Sequence, residues 1–116
     1  MEDSWFTEFA DELAQCLVDA GRCAEICERL LEDVQQSGDA ATQTQVVDAV
    51  VAPTAVARVL IDMIDQPPEF VLAAARLCRD TSQDAARALR GLDAAEAIRA
   101  LETCAESCGR LVEAAG

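Results

Sequence analysis

Six of the 116 residues are cysteine, and histidine and tyrosine are absent. Cys16, Cys23 and Cys27 stand near the start, Cys78 stands alone, and Cys104 and Cys108 lie near the end. Cys23/Cys27 and Cys104/Cys108 are Cys-x-x-x-Cys pairs, and on a helix that spacing sets two thiols one turn apart on one face. Soft thiolates select Cu(I), zinc or iron–sulfur clusters. Cu(I) tolerates two or three sulfur ligands, so a single pair can begin a site. Zinc takes four ligands in a tetrahedron, which the two pairs on facing helices would supply together. Iron–sulfur clusters are usually held from loops with Cys-x-x-Cys spacing, and that spacing does not occur here. Its absence also counts against disulfide exchange. The competing reading is inert packing, because cysteine is a small hydrophobe that favours buried positions.

The elements that carry the thiols follow from hydrophobic spacing. Phe6, Phe9, Leu13, Cys16, Ala20, Cys23, Cys27, Leu30 and Val34 recur in alternating steps of three and four, the seam of a packed helix. The opposite face reads Glu8, Asp11, Glu12, Gln15, Asp19, Arg22, Glu25, Arg29, Glu32 and Asp33. Ser4 is the expected N-cap. Gly21 is expected at a close helix approach. Gln36-Ser37-Gly38-Asp39 ends this helix, and Asp39 is placed to cap the next. The second helix is expected over about 40–65 with Val46, Val50, Ala57, Leu60 and Ile64 inward and no cysteine. Pro53 falls within it and predicts a kink or a split into two helices.

Pro67 and Pro68 stop that element and start the third. Its seam reads Val71, Ala74, Cys78, Thr81, Ala85 and Leu89, with Ser82 standing four residues beyond Cys78. Gly91-Leu92-Asp93 is the next turn, and Asp93 with Glu96 makes a capping box. The fourth seam reads Ala94, Ala97, Leu101, Cys104, Cys108, Leu111 and Ala115. The spacing therefore predicts an all-α chain: one domain over 1–116, an antiparallel up-down-up-down four-helix bundle.

Depth along such a bundle can be read from the helical rise. Measured from the end shared by the first and third turns, Cys27, Cys104, Cys78, Cys23 and Cys108 fall between roughly 14 and 22 Å down, and Cys16 roughly 30 Å. Five thiols from three helices thus share a slab, with Cys16 deeper as an accessory.

Composition narrows the function. Net charge is −13, from 22 acids against 9 bases. Nucleic acid and anionic membrane surfaces are poor partners for such a chain, whereas cations are concentrated around it. No uncharged apolar run of 18 residues occurs, and the opening Met1-Glu2-Asp3-Ser4 carries no apolar signal core. A cytoplasmic location with reduced thiols is the expectation. With no histidine as a base and no inward Glu-x-x-His pattern, the chain is expected not to be an enzyme. Trp5, Phe6 and Phe9 gather at one end. They serve either to plug the core or as a surface for a homo-oligomer or a helical protein partner.

Three stretches resemble the cysteine-rich four-helix bundles of the bacterial copper storage family. They are CLVDAGRCAEICERL (16–30), LAAARLCRDTSQDAARAL (72–89) and LETCAESCGRL (101–111). The resemblance implies a bundle whose inward cysteines hold Cu(I), often in an oligomer. It departs from the family pattern in three ways: the second helix has no thiol, Ser82 stands where the third would carry another, and no histidine marks a bundle mouth. The expected site is a reduced one for a few ions. Cys23, Cys27, Cys104 and Cys108 are the paired ligands, Cys78 the third-helix ligand and Cys16 the accessory. Cu(I) stands ahead of Zn2+ as the metal. A metal-free interaction module with the cysteines as packing is the alternative.

Overall fold

Alanine is the commonest residue of the buried core, and a methyl side chain lets helix backbones approach closely without losing helix propensity. Around those small residues the larger apolar groups close the core. Val46, Val50, Leu60, Val71, Leu89, Leu101 and Leu111 are all fully buried. Each buried leucine or valine contributes roughly 1.5–3 kcal/mol by leaving water. A computed structural model of the chain describes residues 2–116, with side chains from Trp5 onward.

The described residues are helical almost throughout, with no strand among them. A short helix, α1 (Glu2–Glu8), leads into four long ones: α2 (Ala10–Ser37), α3 (Ala40–Asp62), α4 (Pro68–Leu89) and α5 (Ala95–Ala115). The two helices α2 and α4 each pack against both α3 and α5. The chain forms a rod of 52 × 21 × 17 Å with the seams facing its axis.

Several local expectations hold. Asp39 accepts from the Thr42 amide at 2.7 Å and caps α3. Pro67 and Pro68 start α4. Gly38 ends α2, and Gly91 takes the one positive φ among the described residues, +90°, in the turn before α5.

Others are corrected. The first helix does not run from a cap at Ser4. Ser4 lies within α1, its side chain is outside the described set, and the chain bends at Phe9, the N-cap position of α2. Trp5, Phe6 and Phe9 form an aromatic cluster, Trp5 meeting Phe6 edge-on at 4.9 Å and Phe9 at 5.9 Å. All three are half-buried against the core, so they cover its end. Pro53 does not split the second helix: α3 continues through it, and Pro53 is buried. The missing N–H costs one helical hydrogen bond, which packing against the neighbouring helices offsets. Ile64 lies beyond α3 and is 37% exposed. Asp93 does not cap α5. The N-cap position is Ala94, whose amide bonds back to the Leu92 carbonyl. A Cβ at Gly21 would sit 3.8 Å from Ile61 Cδ1, an ordinary contact, so no unusually close approach requires that glycine.

By length and composition α3 could cross a membrane, with a mean hydropathy of 1.5 over its most apolar window. Its inward face nevertheless supplies Val46, Val50, Ala57 and Leu60 to the core, while Val47, Val51 and Val59 face outward.

Candidate metal centre

Every cysteine is a free thiol and every one is fully buried. Three helices deliver them. On α2 the steps from Cys16 to Cys23 and Cys27 keep all three on the inward stripe. On α4 Cys78 takes the same role, and on α5 Cys104 and Cys108 lie one turn apart. The result is a continuous run of sulfur along the axis. Cys16 Sγ lies 3.3 Å from Cys108 Sγ, and Cys78 Sγ lies 3.6 Å from Cys104 Sγ. The sulfurs of Cys78, Cys104 and Cys108 all fall within 4.8 Å of one another. Cys23 continues the run, coupled electrostatically to Cys104 and to Cys27.

The electrostatics single out Cys104. Hydrogen bonds from Cys108 first, then from Cys23 and Cys78, hold its thiol far below the usual range, with Ser82 adding to them and burial opposing. The donors bear the converse shift. Cys108 and Cys23 are pushed far up, chiefly by Cys104 and further by Cys16 and Cys27 respectively. Cys78 is pushed up to about 12, mainly by Cys104 and by burial. Cys27 moves down, through Cys23 first and then Thr54. These shifts gather negative charge on Cys104 and Cys27 and leave Cys23, Cys78 and Cys108 as the protonated donors. A soft cation replacing those protons would meet preassembled sulfur donors.

Two hydroxyls complete the surroundings. Ser82 on α4 is fully buried and adjoins Cys104. Thr54 on α3 adjoins Cys27, and its oxygen is buried. Neither oxygen makes a hydrogen bond of normal geometry, but each sits close enough to its sulfur to favour the thiolate there. Thr54 is the one polar group that α3 turns toward the sulfurs, and sequence reasoning missed it. The signal was available: Thr54 lies four residues after Val50 and three before Ala57, on the seam itself. On α4 the seam likewise turns on Ser82 and not on Thr81, which is only half-buried and bonds back to the Leu77 carbonyl.

The slab expected from sequence is instead a run along the axis: Cys16 is not a deeper outlier but is level with Cys108, and Cys27, eleven residues along α2, lies about 16 Å from that level. α2 projects past the start of α5, so Arg29, eight residues short of its end, pairs with Glu96 at the beginning of α5 (3.9 Å). That offset brings Cys16 level with Cys108. A second correction concerns Asp19, expected on the solvated face. It is only 8% exposed, accepts a short hydrogen bond from the Ser107 hydroxyl, and is also bonded by Gln15 Nε2 at 3.1 Å. Arg110 donates to Ser107 in turn, at 3.3 Å. This polar knot ties α2 to α5 beside the thiol run.

The family model described as Csp, Copper storage protein, matches residues 9–115. No curated protein and no solved structure matches the chain. The match takes in all four long helices and all six cysteines, and so this chain belongs to the copper storage protein (Csp) family.

Proposed function

We propose that the chain is an antiparallel up-down-up-down four-helix bundle that binds Cu(I) through Cys16, Cys23, Cys27, Cys78, Cys104 and Cys108 as a limited cytoplasmic store. Its role is binding and not catalysis. The observation that carries this reading is the unbroken run of six buried thiols, centred on the three sulfurs of Cys78, Cys104 and Cys108. Inert packing needs small apolar side chains but does not need their sulfurs to meet. The opposite order of contacts on neighbouring helices supports the bundle topology. Cys16 meets Cys108, Asp19 meets Ser107 and Cys23 meets Cys104, so position falls on α5 as it rises on α2.

Cu(I) fits better than zinc. Tetrahedral Zn–S bonds of about 2.3 Å require four sulfurs around one point, whereas the mutually close set here has three. A thiolate trio with further sulfurs to either side suits a soft ion of low coordination number. The family's printed name, copper storage protein, agrees with that choice.

The test is an anaerobic Cu(I) titration of the reduced protein against a competing chelator, with thiols counted beforehand. Tight saturation at one to several equivalents is expected. No competition with the chelator would leave the cysteines as core packing.

A further inference from the structure

We propose that the outward face of α3 is the contact surface for a second copy of this chain, which docks on it antiparallel about a two-fold axis passing beside Pro53. The inference does not rest on the copper reading, because α3 carries no cysteine.

A helix face left to water is ordinarily filled with charged and polar residues. On α2 that face exposes Glu25, Glu28, Arg29 and Glu32. The outward face of α3 is apolar instead. Val47, Val51 and Val59 are exposed on it, the last two by half, and Ala52 and Ala55 stand exposed among them. Valine is a poorer helix former than alanine, glutamate or arginine, so local preference does not account for its use there. Apolar groups scattered singly over a surface need no partner, but a contiguous patch marks a contact. The other exposed large apolar groups among the described residues, Val18, Ile64, Phe70 and Leu77, are spread over α2, α4 and the turn between α3 and α4.

The order of residues along α3 names the occupant. Val51 and Ala55 stand equally far on either side of Pro53, as do Val47 and Val59, and as do Asp48 and Arg58. Pro53 is buried, so the direction opposite it points to solvent at the middle of the apolar face. A two-fold axis beside that point sets Val51 against Ala55 of the second copy and brings Val47 toward its Val59. It also sets Asp48 opposite Arg58 of the second copy, twice over. This is the self-complementarity that an isologous contact requires. Asp48 and Arg58 are both exposed. Arg58 already pairs with Glu28, yet a guanidinium has five N–H donors and can hold a second carboxylate. Net charge favours the same face. The chain carries −13, but α3 contributes only Asp48, Arg58 and Asp62 to it, so two copies meeting here avoid most of their mutual repulsion. The aromatic end is not needed for the contact, since Trp5, Phe6 and Phe9 are half-buried against their own core. A single pair of helices covers less than the roughly 800 Å² per partner of a standard interface, so the dimer is a reversible one.

The experiment is sedimentation equilibrium of the full-length, reduced, metal-free chain over a range of concentrations, with circular dichroism as the check on folding. The parent should show a monomer–dimer equilibrium. Val51→Asp should weaken it about a hundredfold, because the substitution acts twice in a symmetric contact and replaces buried valine with facing like charges. Asp48→Arg should weaken it about tenfold, by setting two arginines against each other, and the swap Asp48→Arg/Arg58→Asp should restore it. Phe9→Asp should leave it in place. All four variants should stay as helical as the parent, since none of these side chains is fully buried. A parent that sediments as a single chain at every concentration would overturn the proposal. So would a dimer indifferent to Val51→Asp, or a charge swap no better than Asp48→Arg alone. A single chain that instead sediments with neutral phosphatidylcholine vesicles, and loses them on Val51→Asp, would assign the face to a lipid surface and overturn the dimer equally.

Discussion

Cys16 Sγ and Cys108 Sγ lie 3.3 Å apart although 92 residues separate them in sequence. The contact closes one end of the thiol run and fixes the register of α2 against α5. It also makes this pair the nearest to bond formation. A disulfide needs the sulfurs at about 2.05 Å, so the Cys16 and Cys108 sulfurs have less far to move than those of Cys78 and Cys104, at 3.6 Å. Slow oxidation of the metal-free protein, removing two electrons and two protons, should yield the Cys16–Cys108 crosslink first. Peptide mapping under non-reducing conditions reads it. A first crosslink at Cys23–Cys27 would contradict the register.

The Asp19–Ser107 knot predicts a cost in stability without a cost in metal. Asp19 is buried, and its bonds from Ser107 and Gln15 cross or flank the α2–α5 seam. Ser107→Ala leaves that carboxylate short of a donor, which costs about 1–3 kcal/mol. Urea denaturation should show that loss, while the number of Cu(I) ions bound stays at the parent value. A variant as stable as the parent would mean that Gln15 or water replaces the lost bond.

The long helices and nearly every seam position were legible in the sequence because apolar spacing dictates which face is buried. Cys16, Cys23, Cys27, Cys78, Cys104 and Cys108 are all inward, as the spacing requires. Relative height was less legible. It depends on how far α2 projects past α5, which Arg29–Glu96 reveals and no local pattern encodes. Polar groups on the seam were hardest to read. Asp19 resembles its solvated neighbours Gln15 and Arg22 until Ser107 arrives from 88 residues away. Thr54 hides behind Pro53, whose presence suggested a broken helix where the chain instead carries a hydroxyl to the sulfurs.

Alkaline pH should destabilise the empty protein. Cys104 and, after it, burial push the Cys78 thiol up to about 12, against an ordinary value of 9.0. The unfolded chain therefore ionises first, and stability present below pH 9 is lost as pH rises toward 12. The slope is about 1.4 kcal/mol per pH unit for each such thiol. Cys23 and Cys108 are displaced in the same direction. Cys27 and Cys104 are displaced downward, so above pH 9 they are ionised in both states and offset nothing. Denaturation of reduced protein at pH 9.5 and pH 11 should show the higher stability at pH 9.5, and Cys78→Ala should narrow the difference without abolishing it, because Cys23 and Cys108 still contribute. Equal stability at the two values would mean that the thiols are not insulated from solvent.

The last prediction separates the hub of the thiol run from its end. Cys104 contacts Cys78, lies within 4.8 Å of Cys108 and is coupled to Cys23, whereas Cys27 is coupled most strongly to Cys23. Removing Cys104 parts the Cys23/Cys27 pair from the remaining sulfurs, while removing Cys27 only shortens the run. Cys104→Ala should therefore lose more than one Cu(I) ligand's share of bound metal, and Cys104→Ala/Cys108→Ala should lose most of it. Cys27→Ala should lose no more than a single share. Chelator competition with matched thiol counts measures all three, and circular dichroism checks that each remains helical. Equal losses for Cys104→Ala and Cys27→Ala would show six independent ligands, and the connected thiol network would then have no role in how the ions are held.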